Sequence, residues 1–179
     1  MNQHSSSNKT FIKIIAAFCS IGMLSIIILI IIAIHLIDSF VKDAKESMDN
    51  SPSAIGHRYA RDIMNALNEH NNDDIYNLFA NDVKNRFDIY SQIEETYSCL
   101  HGEITSIDPC LVSMNRKVRD GNIEYLSIDV YMPKVMLEDG SNVVILLYVI
   151  IVDNDSEKIG LKHITFYENN EIICYIGAE

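Results

Sequence analysis

The residues best suited to chemistry are Asp129 and the tyrosines on either side of it, Tyr125 and Tyr131. A carboxylate held in an apolar pocket beside a phenol can serve as a general base, because burial raises its pKa toward working pH. The neighbouring residues argue against that use. Leu126, Ile128, Val130 and Met132 alternate with Tyr125, Ser127, Asp129 and Tyr131. A strand of this pattern turns one set inward and the other outward, so an inward apolar set leaves Asp129 facing out, where acids are usually found.

Other constellations carry less. His57, His70, His101 and His163 lack the i, i+4 pairing or Cys-x-x-Cys company of zinc ligands, and the spacing of Cys99 and His101 by two is a weak pattern. No Gly-x-Ser-x-Gly elbow occurs, and the seven glycines are scattered singly, so no phosphate-cradling loop forms. The sequence therefore assigns no catalytic residue, no metal ligand and no cofactor, and leaves the ligand-binding residues unknown. Tyr59, Tyr76, Tyr90 and Tyr97 recur at helical spacing. Aromatics in that pattern are expected in a core more often than around a ligand.

Of four cysteines, Cys19 lies in an apolar run, which leaves Cys99, Cys110 and Cys174 and hence an unpaired thiol. A Cys99–Cys110 bridge across a short connection is one reading. Free thiols packed as small apolar side chains is the preferred one.

The run that holds Cys19 is the longest-range signal. Residues Ile14 to Ile34 form 21 positions without a charge, enough to cross a hydrocarbon core about 30 Å thick at about 1.5 Å per residue. A cleaved signal peptide would have a shorter apolar region and a small-x-small site, and His-Leu-Ile-Asp after Ile34 offers none. Phe18 before Cys19 spoils a lipoprotein signal in the same way. The expected organisation is a cytoplasmic tail at 1–13, a transmembrane anchor at 14–37, a stalk at 38–54 and an extracytoplasmic domain at 55–179. Gly22 and Ser25 complete no small-xxx-small pair, so the anchor gives no sign of driving dimerisation.

Charge separates the two ends of the chain. All 25 acidic residues and 12 of the 14 basic ones follow Ile37, a net −13 for that portion. Such a balance repels phosphate backbones and anionic bilayers, which excludes nucleic acid as a partner. The membrane, through the N-terminal helix, and a protein or small-molecule ligand are the partners expected; the oligomeric state is not indicated.

The elements that must position these residues fall into two blocks. The stalk, with Lys and Asp interleaved, closes on Asn-Ser-Pro-Ser, which breaks any helix arriving from the membrane. Ile55, Tyr59, Ile63, Ala66 and Leu67 then mark a helix ending near Asn68. A second is capped by Asp73 or Asp74 and presents Ile75, Leu78 and Phe79, and a short turn carries Val83 and Phe87. Ile89, Ile93, Tyr97 and Leu100 define a third, with Gly102 placed as a left-handed cap. After Gly102 the period changes to two. Strands are expected over 104–118, whole or broken at Asp108-Pro109, then over 125–132, 143–152, 159–167 and 172–176, with turns at Arg119–Asn122 and Glu138–Ser141. The nearly continuous apolar run Val143 to Val152 reads as a central strand covered on both faces. The fold class is α+β: an N-terminal transmembrane helix, then a cone-like domain of about three helices on a curved antiparallel sheet.

Two stretches carry a likeness. Ala60-Arg61-Asp62-Ile63-Met64-Asn65-Ala66-Leu67-Asn68 followed by Asp73-Asp74-Ile75-Tyr76-Asn77-Leu78-Phe79 resembles the opening helices of the nuclear-transport-factor-2-like, or cystatin-like, superfamily. Within it the chain looks most like an uncharacterised group of exported bacterial proteins, many of them lipoproteins, classed as a domain of unknown function. The strand opening Lys158-Ile159-Gly160-Leu161 is similar to that group's final strands. The resemblance implies the fold over about residues 55–176 and no activity, since function on this scaffold is set by its pocket.

The expected function is that of a non-enzymatic binding module tethered to the outer face of a membrane, recognising its ligand through the cone's mouth or its sheet. The alternatives are a pocket acid/base enzyme using Asp129, or an immunity or inhibitor protein whose acidic face masks a basic toxin. Orientation is the part most easily checked. Lys9 and Lys13 hold the short tail inside, and a long domain after a signal-anchor is translocated largely regardless of its own acidic charge. A membrane-impermeant thiol reagent should therefore label Ser53→Cys in intact cells and Ser6→Cys only after the membrane is opened. The reverse pattern would place the domain in the cytoplasm.

Overall fold

The structure is a computed structural model that describes residues 31–39, 41–42, 45–107 and 109–177. The chain divides into two units, Met1–Asp49 and Asn50–Glu179. In the first, residues 31–39, 41–42 and 45–49 are helical. Most of the expected anchor at 14–37 lies outside the described residues. Among the described residues no helix is long and apolar enough to cross a membrane.

The second unit opens with four helices: α1 (Pro52–Asn68), α2 (Asn72–Leu78), α3 (Asn81–Lys84) and α4 (Ile89–Cys99). The Asn-Ser-Pro-Ser stretch starts a helix as well as ending one. Ser51 caps α1 by accepting the Ala54 amide at 3.2 Å, and Pro52 occupies the first turn, where its missing N–H costs nothing. Helix α1 thus begins three residues before the expected Ile55. The cap of α2 is Asn71, which accepts the Asp74 amide, while Asp73 and Asp74 sit in the first turn and favour the helix dipole. Gly102 is not a left-handed cap. Helix α4 stops because Leu100 turns extended and buries its side chain, and Gly102, at φ +121, passes so close to Glu138 that an added Cβ would lie 3.2 Å from that residue's own.

Six strands follow: β1 (Ile104–Ile107), β2 (Leu111–Arg119), β3 (Asn122–Leu137), β4 (Asn142–Val152), β5 (Gly160–Glu168) and β6 (Glu171–Gly177). They form one antiparallel, curved and unclosed sheet in the order β1-β3-β4-β5-β6. Strands β1 and β2 share the outer edge of β3, β1 along its last residues and β2 along its first, so the 104–118 segment is two strands. Asp120 and Gly121, both at positive φ, make the two-residue β2–β3 turn. The architecture is α+β, as the switch of period implies.

Every buried hydrophobic side chain described lies between Ala60 and Ile176, so the second unit has a core of its own. Ile63, Met64 and Leu67 of α1 meet Ile128, Val130 and Met132 of β3, with Ile145, Leu147 and Val149 of β4 and Leu161, Ile164 and Phe166 of β5 completing the layer. Polar contacts pin the helices to this face. The Asn68 amide group pairs with both the N–H and the C=O of Ile104, and Gln92 accepts the Gly177 amide at 2.8 Å. Lys162 donates to both oxygens of Asp82 at 2.5 and 2.6 Å, with the two side chains only 13% and 18% exposed.

Strand β4 departs from the sequence expectation. From Val143 to Val149 its buried residues alternate, and Val144, Leu146 and Tyr148 between them are only half-buried, while Ile150, paired with Ser127 on the other face, is buried as well. The apolar run is covered on one face, because the helices all pack on the side of Ile145, Leu147 and Val149.

The α2–α3 connection comes close to the sheet at Gly160, where the Ala80 amide donates to the Leu161 carbonyl at 2.9 Å. With φ at +132 and the Ala80 nitrogen 2.9 Å from where a Cβ would stand, any side chain is both strained and in collision with backbone. Gly160→Ala should lower stability by about 2–4 kcal/mol, read as a drop in the urea midpoint with an unchanged slope. A loss below about 0.5 kcal/mol would show that the α2–α3 connection is not held against β5.

Candidate functional site

Alternation along the sheet places a second set of side chains on the face turned away from the helices. From β2 to β5, Ser113, Asp129, Tyr148 and His163 stand directly opposite one another across neighbouring strands. One row along, the set is Leu111, Tyr131, Leu146, Thr165 and Tyr175, and beyond it Val144 pairs with Tyr167. Five of the nine tyrosines, Tyr125, Tyr131, Tyr148, Tyr167 and Tyr175, therefore share this face. Within residues 50–177 no helix lies over it, and Leu111 and Tyr131 remain 62% and 41% exposed.

The face has a polar half and an apolar one. In the polar half Ser113 donates to Asp129 at 3.3 Å, the Tyr125 and Tyr148 hydroxyls share a hydrogen bond, and the Tyr148 ring stacks on His163 with centroids 5.5 Å apart. Burial pushes the Tyr148 phenol up, its bond to Tyr125 pushes it further, and Ser127 offsets part of the rise. Burial pushes the His163 imidazole below its usual 6.5, and the Asp129 charge offsets part of that fall. Burial thus favours the neutral imidazole at His163. In the apolar half Tyr131, Val144, Leu146, Tyr167 and Asn170 line a shallow depression of about 290 Å3.

Asp129 does face away from the core, as its place in the alternation requires. What the sequence did not disclose is that Tyr148 and His163, 19 and 34 positions further on, lie beside it. Only strand register could have revealed that row, and register depends on turn lengths and bulges as well as on pattern.

The remaining candidates disperse. His70 stacks on Tyr97 at 4.5 Å beside a second depression of about 210 Å3, floored by Leu67, Leu100 and Ile104 at the helix–sheet mouth and rimmed by Glu103 and Glu138. His57 meets Cys110, with 2.8 Å between Nδ1 and Sγ, and His101 is exposed. Among the described residues no three His, Cys, Asp or Glu side chains converge as metal ligands would. Cys99, Cys110 and Cys174 are free thiols. Cys99 cannot bridge Cys110, because its Sγ donates to the Ile173 carbonyl beside Cys174 while Cys110 lies against His57. Burial pushes the Cys110 thiol up, and pushes Cys174 up to about 12, so neither rests as a thiolate. Tyr59, Tyr76 and Tyr97 pack on the core. Tyr90 is exposed, stacked on Tyr76 and donating to Asp73 at 2.8 Å.

These features define a two-layer α+β domain whose single sheet has one face packed and one face open. The particular family follows from comparison: a model described as "Domain of unknown function (DUF5104)" matches residues 62–169, and the chain belongs to that family. The match spans most of α1 through β5 and includes Asp129, Tyr131, Tyr148, His163 and Tyr167. Among curated proteins nothing matches.

Because the folded pKa of His163 lies below the unfolded 6.5, the unfolded chain takes up this proton first as pH falls. The associated stability is complete above 6.5 and is lost as pH drops through the folded value. Thermal unfolding midpoints should therefore fall more steeply between about pH 7.5 and pH 5 in the native chain than in His163→Gln. Parallel curves would show that the imidazole stays solvated.

Proposed function

We propose that the chain is a non-enzymatic binding module that engages its ligand through the open face of the sheet. The observation behind this is β4. Its sequence is that of a strand covered on both sides, yet within residues 50–177 the helix layer packs only on the side of Ile145, Leu147 and Val149, and Val144, Leu146 and Tyr148 on the other side stay half-buried. Continuous aromatic and aliphatic surface of this kind marks an interaction site more often than bare solvent-facing sheet.

The same reading places the module outside a membrane, held by the uncharged run from Ile14 to Ile34. Helices followed by a curved antiparallel sheet are also what a nuclear-transport-factor-2-like relationship would produce, and that relationship belongs to the proposal. In such scaffolds the mouth between helix and sheet is the other place for a ligand. Here that mouth is the smaller depression, and core side chains fill the layer behind it. An acid/base reaction would need a carboxylate enclosed among apolar groups. Asp129 is instead half-buried on an open sheet with a serine hydroxyl donating to it.

Photo-crosslinking tests the assignment. A benzoylphenylalanine at Tyr131 or Tyr167 should give a discrete adduct in producing cells, and one at exposed Arg61 on α1 should give none. Adducts from Arg61 alone, or equal yields at all three positions, would overturn the sheet face as the binding surface.

A further inference from the structure

The open face specifies a chemistry for its occupant, an inference that rests on the sheet-face reading above. Asp129 carries a negative charge that no Lys or Arg pairs with among the described ion pairs. Its neighbours do not pair with its charge as a lysine or arginine would: Ser113 is a hydroxyl donor, and burial favours the neutral form of His163. Two aromatic rings flank it, Tyr148 directly opposite and Tyr131 two residues along the same strand. A carboxylate beside aromatic rings suits an ammonium or guanidinium group, which can gain an ion pair and a cation–π contact together. The whole portion after Ile37, at net −13, adds a long-range bias toward a basic partner.

One row away the surface turns apolar. The depression between Tyr131 and Tyr167, floored by Val144 and Leu146, suits an aromatic or branched aliphatic side chain. Same-face rows on a strand lie about 7 Å apart, which is also the spacing of residues i and i+2 in an extended peptide. We propose that the face takes an extended basic segment of a protein partner, with an arginine or lysine on Asp129 and an apolar side chain two residues from it in the Tyr131–Tyr167 depression.

Selection from a random heptapeptide library tests this on the full-length chain in detergent, with counter-selection on a Tyr131→Ala/Tyr167→Ala variant checked for an unchanged circular dichroism melt. Enriched peptides should carry Arg or Lys two positions from an aromatic or leucine. They should bind Asp129→Asn, an isosteric change that leaves the fold alone, about tenfold or more weakly, and should weaken steeply as salt is raised. Enrichment of neutral or acidic peptides, or equal binding to Asp129→Asn, would overturn the cationic occupant and leave the sheet-face reading standing. Peptides that bind the tyrosine variant as well as the native chain would remove both. Concentration-dependent dimerisation abolished by the tyrosine substitutions would make a second copy the occupant and overturn the basic partner.

Discussion

Packing of the α1 stripe Ile63, Met64 and Leu67 onto one side of the central strands is the interaction on which everything else depends. A strand shows its residues alternately to two faces, so a helix layer that buries Ile128, Val130 and Met132 necessarily turns Ser127, Asp129 and Tyr131 the other way. Truncating a side chain in the packed layer typically costs about 2–5 kcal/mol. The fold is therefore held from one side, and the chemistry of the other is free of that duty.

The contacts that fix the helices reinforce this asymmetry. Asn68 on Ile104, Gln92 on Gly177, Ala80 on Leu161 and Lys162 on Asp82 tie the helix layer to the sheet at points spread from β1 to β6. A sheet anchored so widely has little freedom to flatten or slip. That rigidity matters for the outer row, because Ser113, Asp129, Tyr148 and His163 come from four strands and stay aligned only while all four registers hold. A surface built on strands in this way is pre-organised, which lowers the ordering cost that binding must otherwise meet.

Much of this could be read in advance, and the departures have identifiable causes. The helices, the change of period after Gly102 and the inward set Leu126, Ile128, Val130 and Met132 were legible because periodicity is a local property. The α2 cap was misplaced by two or three residues because Asn71, Asp73 and Asp74 can all cap, and only the backbone conformation at each decides which one does. Gly102 lies past the point where burial of Leu100 has already ended α4, and its close approach to Glu138 involves a residue 36 positions away. The apolar run of β4 was taken to mean two covers. A sequence records that residues are apolar, but it does not record whether the cover comes from the same chain.

By itself, then, the sequence determined the α+β class, the acidic balance, the change from helix to strand after Gly102 and the outward direction of Asp129, since composition and alternation require no knowledge of distant neighbours. Tertiary structure alone decided which groups Asp129 meets, that Cys99 lies by Ile173 and Cys110 by His57, and that within residues 50–177 the helices pack on one face of the sheet only. Those facts depend on register and on which layer packs against which, and both are set by contacts between residues far apart in the chain.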